Sequence, residues 1–403
     1  MQSSSKAAII KSARKNLRLV MTEASITAGL LAMSVFTPFF NSIGLDNRQI
    51  SETQILYTIV LFLLNVPMGY VADRVSRKWA NIIGDFGRAI TLLFYSQVCT
   101  FGGAVMCECL CGISSALSNG VDSSLIEHFT DKISQQTEES KKALLESKTA
   151  KLQIHRQFFN VFLLLLGGPI GAIDLRLAIA LSSVNYLAGG IISIFIKDDS
   201  EKLQPEHKDP FKDMARVLKT AMKDKPLRTR LFAYAIGRES THGIIWIVTP
   251  LFLKAGVPIG FVSSAWALNA ATCILGARFA AFCSKNKKLT DAQIMLLPTV
   301  LMSVSMLVIG LNLNIVTVWF YGLMGVVNGW TSSTLIPMVQ RHTKRSEQTS
   351  IISFAGTLAQ MIYIPVVWLV GYVSDIKLEY GPLVMLVIFL PLGLIMTKKL
   401  KDI

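Results

Sequence analysis

Twelve apolar runs follow one another along this chain, at about 20–43, 51–72, 79–101, 103–128, 157–174, 176–196, 230–253, 258–283, 291–311, 314–339, 351–374 and 381–397. A helix needs about 20 apolar residues to cross the hydrocarbon of a bilayer, so each run can make one pass. Lipid offers backbone groups no hydrogen-bond partners, and segments of this length satisfy their own only as helices. The pattern predicts an all-α polytopic membrane protein with twelve transmembrane helices. Composition agrees: 52% of residues are hydrophobic and only 16% charged, against roughly 25% charged in soluble proteins. A water-soluble globule is thereby excluded.

The formal charge of +14 would suggest nucleic acid as a partner in a soluble protein, but its placement argues otherwise. Of 40 Lys and Arg, 33 lie at the two termini and on one alternating set of loops. The opposite loops carry four, Arg48, Arg176, Lys254 and Lys377, and three lie inside runs, Arg88, Arg238 and Arg278. The positive-inside rule puts both termini in the cytoplasm of a multi-pass protein of the cytoplasmic (inner) membrane. The expected partners are the lipid bilayer, a small-molecule substrate and protons, with no nucleic acid. The basic start, 1–18, lacks a small-residue cleavage site and is read as retained.

No cofactor or metal is expected, because the six cysteines fall in or at the ends of apolar runs without C-x-x-C or zinc spacing. They read as packing residues, although Cys99 and Cys107 flank a short outer loop where oxidation is conceivable. G-x-x-x-x-G-K-[ST], HExxH and GxSxG are all missing from the sequence, which speaks against ATP as the energy source and against an enzyme.

Two long polar stretches, 130–156 and 197–229, punctuate the runs. The second divides the chain into a six-helix bundle at 1–196, a cytoplasmic linker at 197–229 and a six-helix bundle at 230–403. Within the linker Phe211, Met214, Val217, Leu218 and Met222 recur at helical spacing on a Lys-rich background. That suits an amphipathic helix on the inner membrane face or a solvated linker helix. GGPIGAIDLR (167–176) and WLVGYVSDIK (368–377) place Gly171 and Gly371 200 residues apart, each followed by an acid and a base. This echo marks the fifth and eleventh helices as equivalent positions of a duplicated unit.

Between the second and third runs stands Gly69-Tyr70-Val71-Ala72-Asp73-Arg74-Val75-Ser76-Arg77-Lys78. It resembles the signature loop G-x-x-x-D-[RK]-x-G-[RK]-[RK] of the major facilitator superfamily, departing from it only at Ser76. LFLLNVPMGYVADRVSRK (61–78) and NGVDSSLIEHF (119–129) are similar to stretches of a short bacterial branch that includes predicted drug and siderophore exporters. The resemblance spans essentially the whole chain. It implies the major facilitator fold of two pseudo-symmetric six-helix bundles, alternating access by a monomer, and a cavity lined by the first, fourth, seventh and tenth helices. The equivalent second-half loop, GARFAAFCSKNKK (276–288), lacks the signature acid, and Glu108 stands four before Gly112 where proton-coupled exporters usually carry Arg. Gly168-Pro169-Ile170-Gly171 resembles the antiporter Gly-Pro motif shortened by one residue, and equally suits a packing role.

Charges inside spans cost about 2.5–3.5 kcal/mol each on insertion scales, so those present tend to face a cavity or a partner. Asp122 and Glu108 on the fourth run, roughly 21 Å apart on one face of a continuous helix, and His242 on the seventh are candidates for proton coupling. Asp85 and Arg88 read as a structural pair. Arg238 is a candidate for an anionic group on the substrate or for neutralising Glu108 or Asp122. Trp246, Asn328, Trp330 and Ser333 are further substrate-binding candidates. The resemblance implies a gate of Gly69, Asp73, Arg74, Arg77 and Lys78, with Glu127 pairing with Arg77. The reading is a proton-coupled exporter of a drug- or siderophore-like amphiphilic or anionic molecule. A proton-coupled importer of an anionic nutrient or iron–siderophore is the alternative.

Overall fold

The structure, a computed structural model, describes residues 2–74, 76–137, 140–197, 219, 221–286, 289–343 and 348–403. The expected helix over 211–222 falls almost wholly outside the described residues.

The described residues are almost entirely helical. The helices are α1 Gln2–Ile26, α2 Phe36–Ser42, α3 Asn47–Arg74, α4 Arg77–Tyr95, α5 Phe101–Ser118, α6 Val121–Ser134, α7 Lys141–Ile173 and α8 Leu175–Ile194. After the linker come α9 Lys225–His242, α10 Val248–Lys254, α11 Ser263–Asn286, α12 Asp291–Leu311, α13 Gly322–Gln340, α14 Gln348–Ile376 and α15 Tyr380–Lys401. Eight membrane-length segments are apolar enough to span a bilayer by length and composition. Local chemistry sets many helix starts. Ser76, Thr100, Asp174 and Asp224 each accept a backbone N–H of the following turn, and Thr290 forms a capping box with Gln293.

All twelve runs are recovered as helical passes, with two departures. The first, fourth and seventh passes are broken. α1 ends at Ile26 and α2 begins at Phe36; α5 and α6 are separated by Asn119 and Gly120; α9 and α10 by residues 243–247. At Gly120 the backbone takes φ +78°, a conformation that costs a residue with a Cβ about 1–2 kcal/mol. Secondly, helix extends into the polar flanks, since α1 begins at Gln2 and α7 at Lys141 rather than at the apolar boundary. Those flanks are rich in Lys, Ala, Leu and Glu, which lose little on becoming helical.

The chain divides into two compact units, 1–39 with 56–204, and 40–55 with 205–403. In the first, α4 packs on α8 and α5, and α1 on α6 and α8. In the second, α12 packs on α15 and α13, and α9 on α13 and α15. These are the same pairings between equivalent passes, as a duplicated six-helix unit requires. Small residues make the contacts close. A Cβ on Gly329 of α13 would overlap the Cys273 carbonyl of α11, and one on Gly276 would overlap the Val326 carbonyl. At the edge of the second unit Lys254 Nζ donates to Glu379 Oε2 at 2.8 Å. Burial opposes ionisation of Glu379, but this ammonium and a backbone amide outweigh it and hold the carboxyl below its ordinary value.

Gly329→Ala should destabilise the protein by about 1–3 kcal/mol, seen as a lower unfolding temperature in detergent. Gly102→Ala, which meets nothing within 4 Å, should not. A depressed carboxyl value stabilises the fold above the unfolded value and loses that contribution as pH falls through the folded one. The stability difference between the native protein and Glu379→Gln should therefore vanish as pH drops below the ordinary carboxyl value of 4.5.

Candidate functional site

Inside the first unit lies a polar cavity of about 380 Å³, lined by Glu23, Asp85, Arg88, Asp122 and Arg156 together with Asn81 and small polar residues. Each break or turn contributes. Glu23 stands one turn before the end of α1, and Asp122 sits in the first turn of α6, aimed by the Gly120 turn. Arg156 comes from the polar extension of α7. Its Nη2 donates to Asp122 Oδ2 at 2.5 Å and its Nε to the Ala24 carbonyl at 3.1 Å, so one guanidinium ties α6 and α1 to α7. Arg88 Nη2 donates to Ser118 Oγ at 2.8 Å, and the guanidinium lies 5.5 Å from the Tyr186 ring centroid. Its contacts are thus to Ser118 and Tyr186 rather than a close pair with Asp85.

Glu23 and Asp85 are each 1% exposed. Thr27 donates to Glu23 Oε1 at 3.3 Å, while Glu23 Oε2 and Asp85 Oδ2 have no hydrogen-bond donor. Both groups line the same cavity. Carboxylates only accept, so neither oxygen can bond the other unless one of them carries a proton. Charge leads to the same count: three carboxylates and two guanidiniums in the lining leave one negative charge, which one proton cancels.

Glu108 is elsewhere. It is buried midway along α5, where the Tyr95 hydroxyl donates to its Oε1 at 3.0 Å, and it does not line the cavity. The break at Gly120 also removes the continuous helix on which one shared face for Glu108 and Asp122 was expected.

A second polar cluster lies in the other unit. Arg238, with 45% of its side chain exposed, sits 3.6 Å from the buried Glu239 carboxylate and donates to the Tyr234 hydroxyl at 3.2 Å. His242 Nδ1 is 2.8 Å from the Arg238 carbonyl. Thr241 donates to Asn328 Oδ1 at 2.6 Å, joining α9 to α13, and Trp246 in the α9–α10 break donates to the Tyr363 hydroxyl of α14 at 3.0 Å. Arg238 thus pairs with its neighbour, and Asp122 with Arg156. Ser333 is exposed. Trp330 is 2% exposed, tilted against Phe279, with its indole N–H on the Ile294 carbonyl at 3.0 Å, which is a packing position.

Of the signature loop, α3 runs through Gly69 and Asp73 to Arg74; the side chains of Asp73 and Arg74 lie outside the described residues. Ser76, the departure from the family pattern, caps α4 by accepting the Trp79 N–H at 3.4 Å. Arg77 is half-buried in the first turn of α4, and Lys78 Nζ donates to the Ile194 carbonyl at the end of α8 at 2.6 Å. Glu127 pairs with Lys141 at 3.3 Å, where Arg77 was the expected partner. In the second unit Asp291 accepts from Arg230 at 2.7 Å and from Arg341 at 2.9 Å.

Sequence reasoning missed Glu23, Arg156, Tyr234 and the Asp291 cluster. Glu23 lay within the first apolar run, where an acid is itself a signal. Arg156 was grouped with loop charge although it adjoins the fifth run.

The sequence profile of the Major Facilitator Superfamily matches residues 20–366. No curated protein matches by sequence. Among solved structures, the nucleoside transporter NupG is similar with a TM-score of 0.72 at 13% identity, over 98% of this chain and 98% of that one. The POT family transporter PepTSo gives 0.73 at 13% over 96% and 97%. A bacterial homologue of the human lysosomal transporter Spinster, inward-facing and unoccupied, gives 0.71 at 11% over 98% and 98%. At these identities the likeness concerns the fold alone.

Arg156 and Asp122 should behave as one unit. In a double-mutant cycle of Arg156→Met and Asp122→Asn, unfolding measurements should give a coupling of about 0.5–3 kcal/mol; additive losses would show that the pair does not act together.

Proposed function

The chain belongs to the Major Facilitator Superfamily, a superfamily of secondary transporters, and from that premise we propose that it exports an anionic or amphiphilic small molecule in exchange for protons, by alternating access. The observation that carries the coupling is the cavity of the first unit, where two buried carboxyl oxygens have no donor and a single proton balances the lining charge. Glu23, Asp85 and Asp122 hold that proton. Arg156 competes with it for Asp122, so movement of α7 relative to α6 would change proton affinity.

Arg238 is the ligand for the anionic group of the substrate, because it keeps nearly half its side chain open and its planar guanidinium matches a carboxylate or phosphate. Tyr234, Thr241, Asn328 and Trp246 fix its surroundings, and His242 is a secondary proton site beside it. The signature residues Gly69, Asp73, Arg74, Arg77 and Lys78, with Glu127, act as the gate on the side of the basic loops, which faces the cytoplasm together with both termini. Outward direction rests on the Gly168-Pro169 resemblance. A Cβ at Gly171 would fall 2.5 Å from Val35, so this motif also packs the fifth pass against the broken first one. A drug- or siderophore-like substrate follows from the branch resemblance. The chain works as a monomer in the inner membrane.

Comparison of small molecules inside cells and in their medium, with and without the gene, should reveal a compound retained when the gene is absent. In proteoliposomes an inward proton gradient should drive that compound outward, and Asp122→Asn should abolish the dependence on the gradient while the protein remains folded. Flux indifferent to the gradient in the native protein would overturn the coupling. A compound left unused in the medium would reverse the direction.

A further inference from the structure

The polar extensions of α1 and α7 build a second pocket, lined by none of the coupling residues and unused by the proposed transport cycle. Its volume is about 630 Å³. Arg14, Arg18 and Lys148 bring three cations to it, Ser140 and Ser147 two hydroxyls, and Leu17, Met21, Ile133 and Leu144 an apolar floor. Arg14, Arg18 and Ser147 are exposed. Asp131, near the end of α6, pairs with Lys141 at 3.3 Å, and no acid is among the residues that line the pocket. Lys11 and Lys15, on the opposite flank of α1, line a second groove with Arg14 and Arg18 and add to the positive potential.

Three cations, hydroxyl donors and an apolar floor recognise an amphiphile whose head is an anionic phosphate ester. Position distinguishes a lipid from a soluble phosphate. The α7 lining lies where the membrane-length apolar segment Ser147–Ile173 begins, and the α1 lining, Arg14 to Met21, lies on the polar side of the segment Lys6–Ser34, an arrangement that suits a place between headgroups and hydrocarbon. From Ser147 the same face of α7 continues at helical spacing through Lys151 to Ile154, Phe158, Phe162 and Leu165. Ile154 is 67% and Phe158 71% exposed, with Phe162 and Leu165 about half exposed. A cationic pocket with an open apolar stripe running into the bilayer accommodates a phosphate head above and acyl chains below. We propose that this pocket is a binding site for an anionic phospholipid of the leaflet on the side of the basic loops. The site binds lipid whether or not the transport reading holds.

Native mass spectrometry of the purified full-length protein tests this with phosphatidylglycerol and phosphatidylcholine of identical acyl chains, and with inorganic phosphate as competitor. Phosphatidylglycerol should be retained in preference to phosphatidylcholine and should resist millimolar phosphate. Each of Arg14→Gln, Arg18→Gln and Lys148→Gln should weaken that retention about fivefold. Lys398→Gln/Lys399→Gln/Lys401→Gln, which removes three cations from the end of α15, should leave it unchanged. Equal retention of the two lipids, retention unaffected by the pocket substitutions, or an equal loss from the α15 substitutions would overturn the proposal. Displacement of phosphatidylglycerol by phosphate alone would reassign the pocket to a soluble phosphate ester and overturn the lipid reading. Circular dichroism on each variant separates loss of lipid from loss of fold.

Discussion

The polar cavity of the first unit depends on how the broken first pass is repaired. In hydrocarbon an unpaired backbone group costs several kcal/mol, so a helix can stop midway only where other groups supply its hydrogen bonds. Here they come from side chains of two other helices. Asn185 of α8 donates to the carbonyls of Gly29 at 2.9 Å and Ile26 at 3.3 Å, and Ser182 accepts the Ala32 N–H at 2.9 Å. Arg156 of α7 donates to the Ala24 carbonyl. Because that same guanidinium holds Asp122, the repair of the backbone and the electrostatics of the cavity are one arrangement.

The two units use charge with opposite polarity at corresponding helix starts. In the first, the start of α4 is basic, and Lys78 meets the carbonyl end of α8, where a cation complements the helix dipole. In the second, the start of α12 carries Asp291, which accepts from a buried Arg230 and from Arg341 at the end of α13. The acid missing from the second-half loop thus has a counterpart a few residues later, in the helix rather than before it. The helix pairings are the same in the two units, while the contact at this helix start is an ammonium on a backbone carbonyl in the first and an acid between two guanidiniums in the second.

The fold was legible because its main determinant, the apolar length of each pass, is a local property of sequence, and the Asp73-Arg74 loop stood where the duplicated architecture needs it. Arg238 and Asp122 were legible as charges inside spans. The interruptions were less so. Asn119-Gly120 is a turn dipeptide, but hydropathy averaged over a run smooths it away, and residues 243–247 remain apolar through the break. The partners of the charges were not legible at all, since Arg156 reaches Asp122 across 34 positions and Arg341 reaches Asp291 across 50. Which helices become neighbours is decided by packing of small residues, and no charge pattern along the chain encodes it.

Residues 40–55 group with the second unit, although the rest of α3 belongs to the first. Asp375, at the end of α14, accepts the backbone N–H groups of Asn47 at 2.8 Å and Arg48 at 3.0 Å, so it caps α3 from 328 positions away. The equivalent Asp174 caps the helix directly after it. One acid therefore closes a local turn while its twin fastens a distant segment. The grouping of residues in the structure is consequently not a single cut along the sequence. The second unit is thus assembled from two stretches of chain, one synthesised before most of the first unit and one after it.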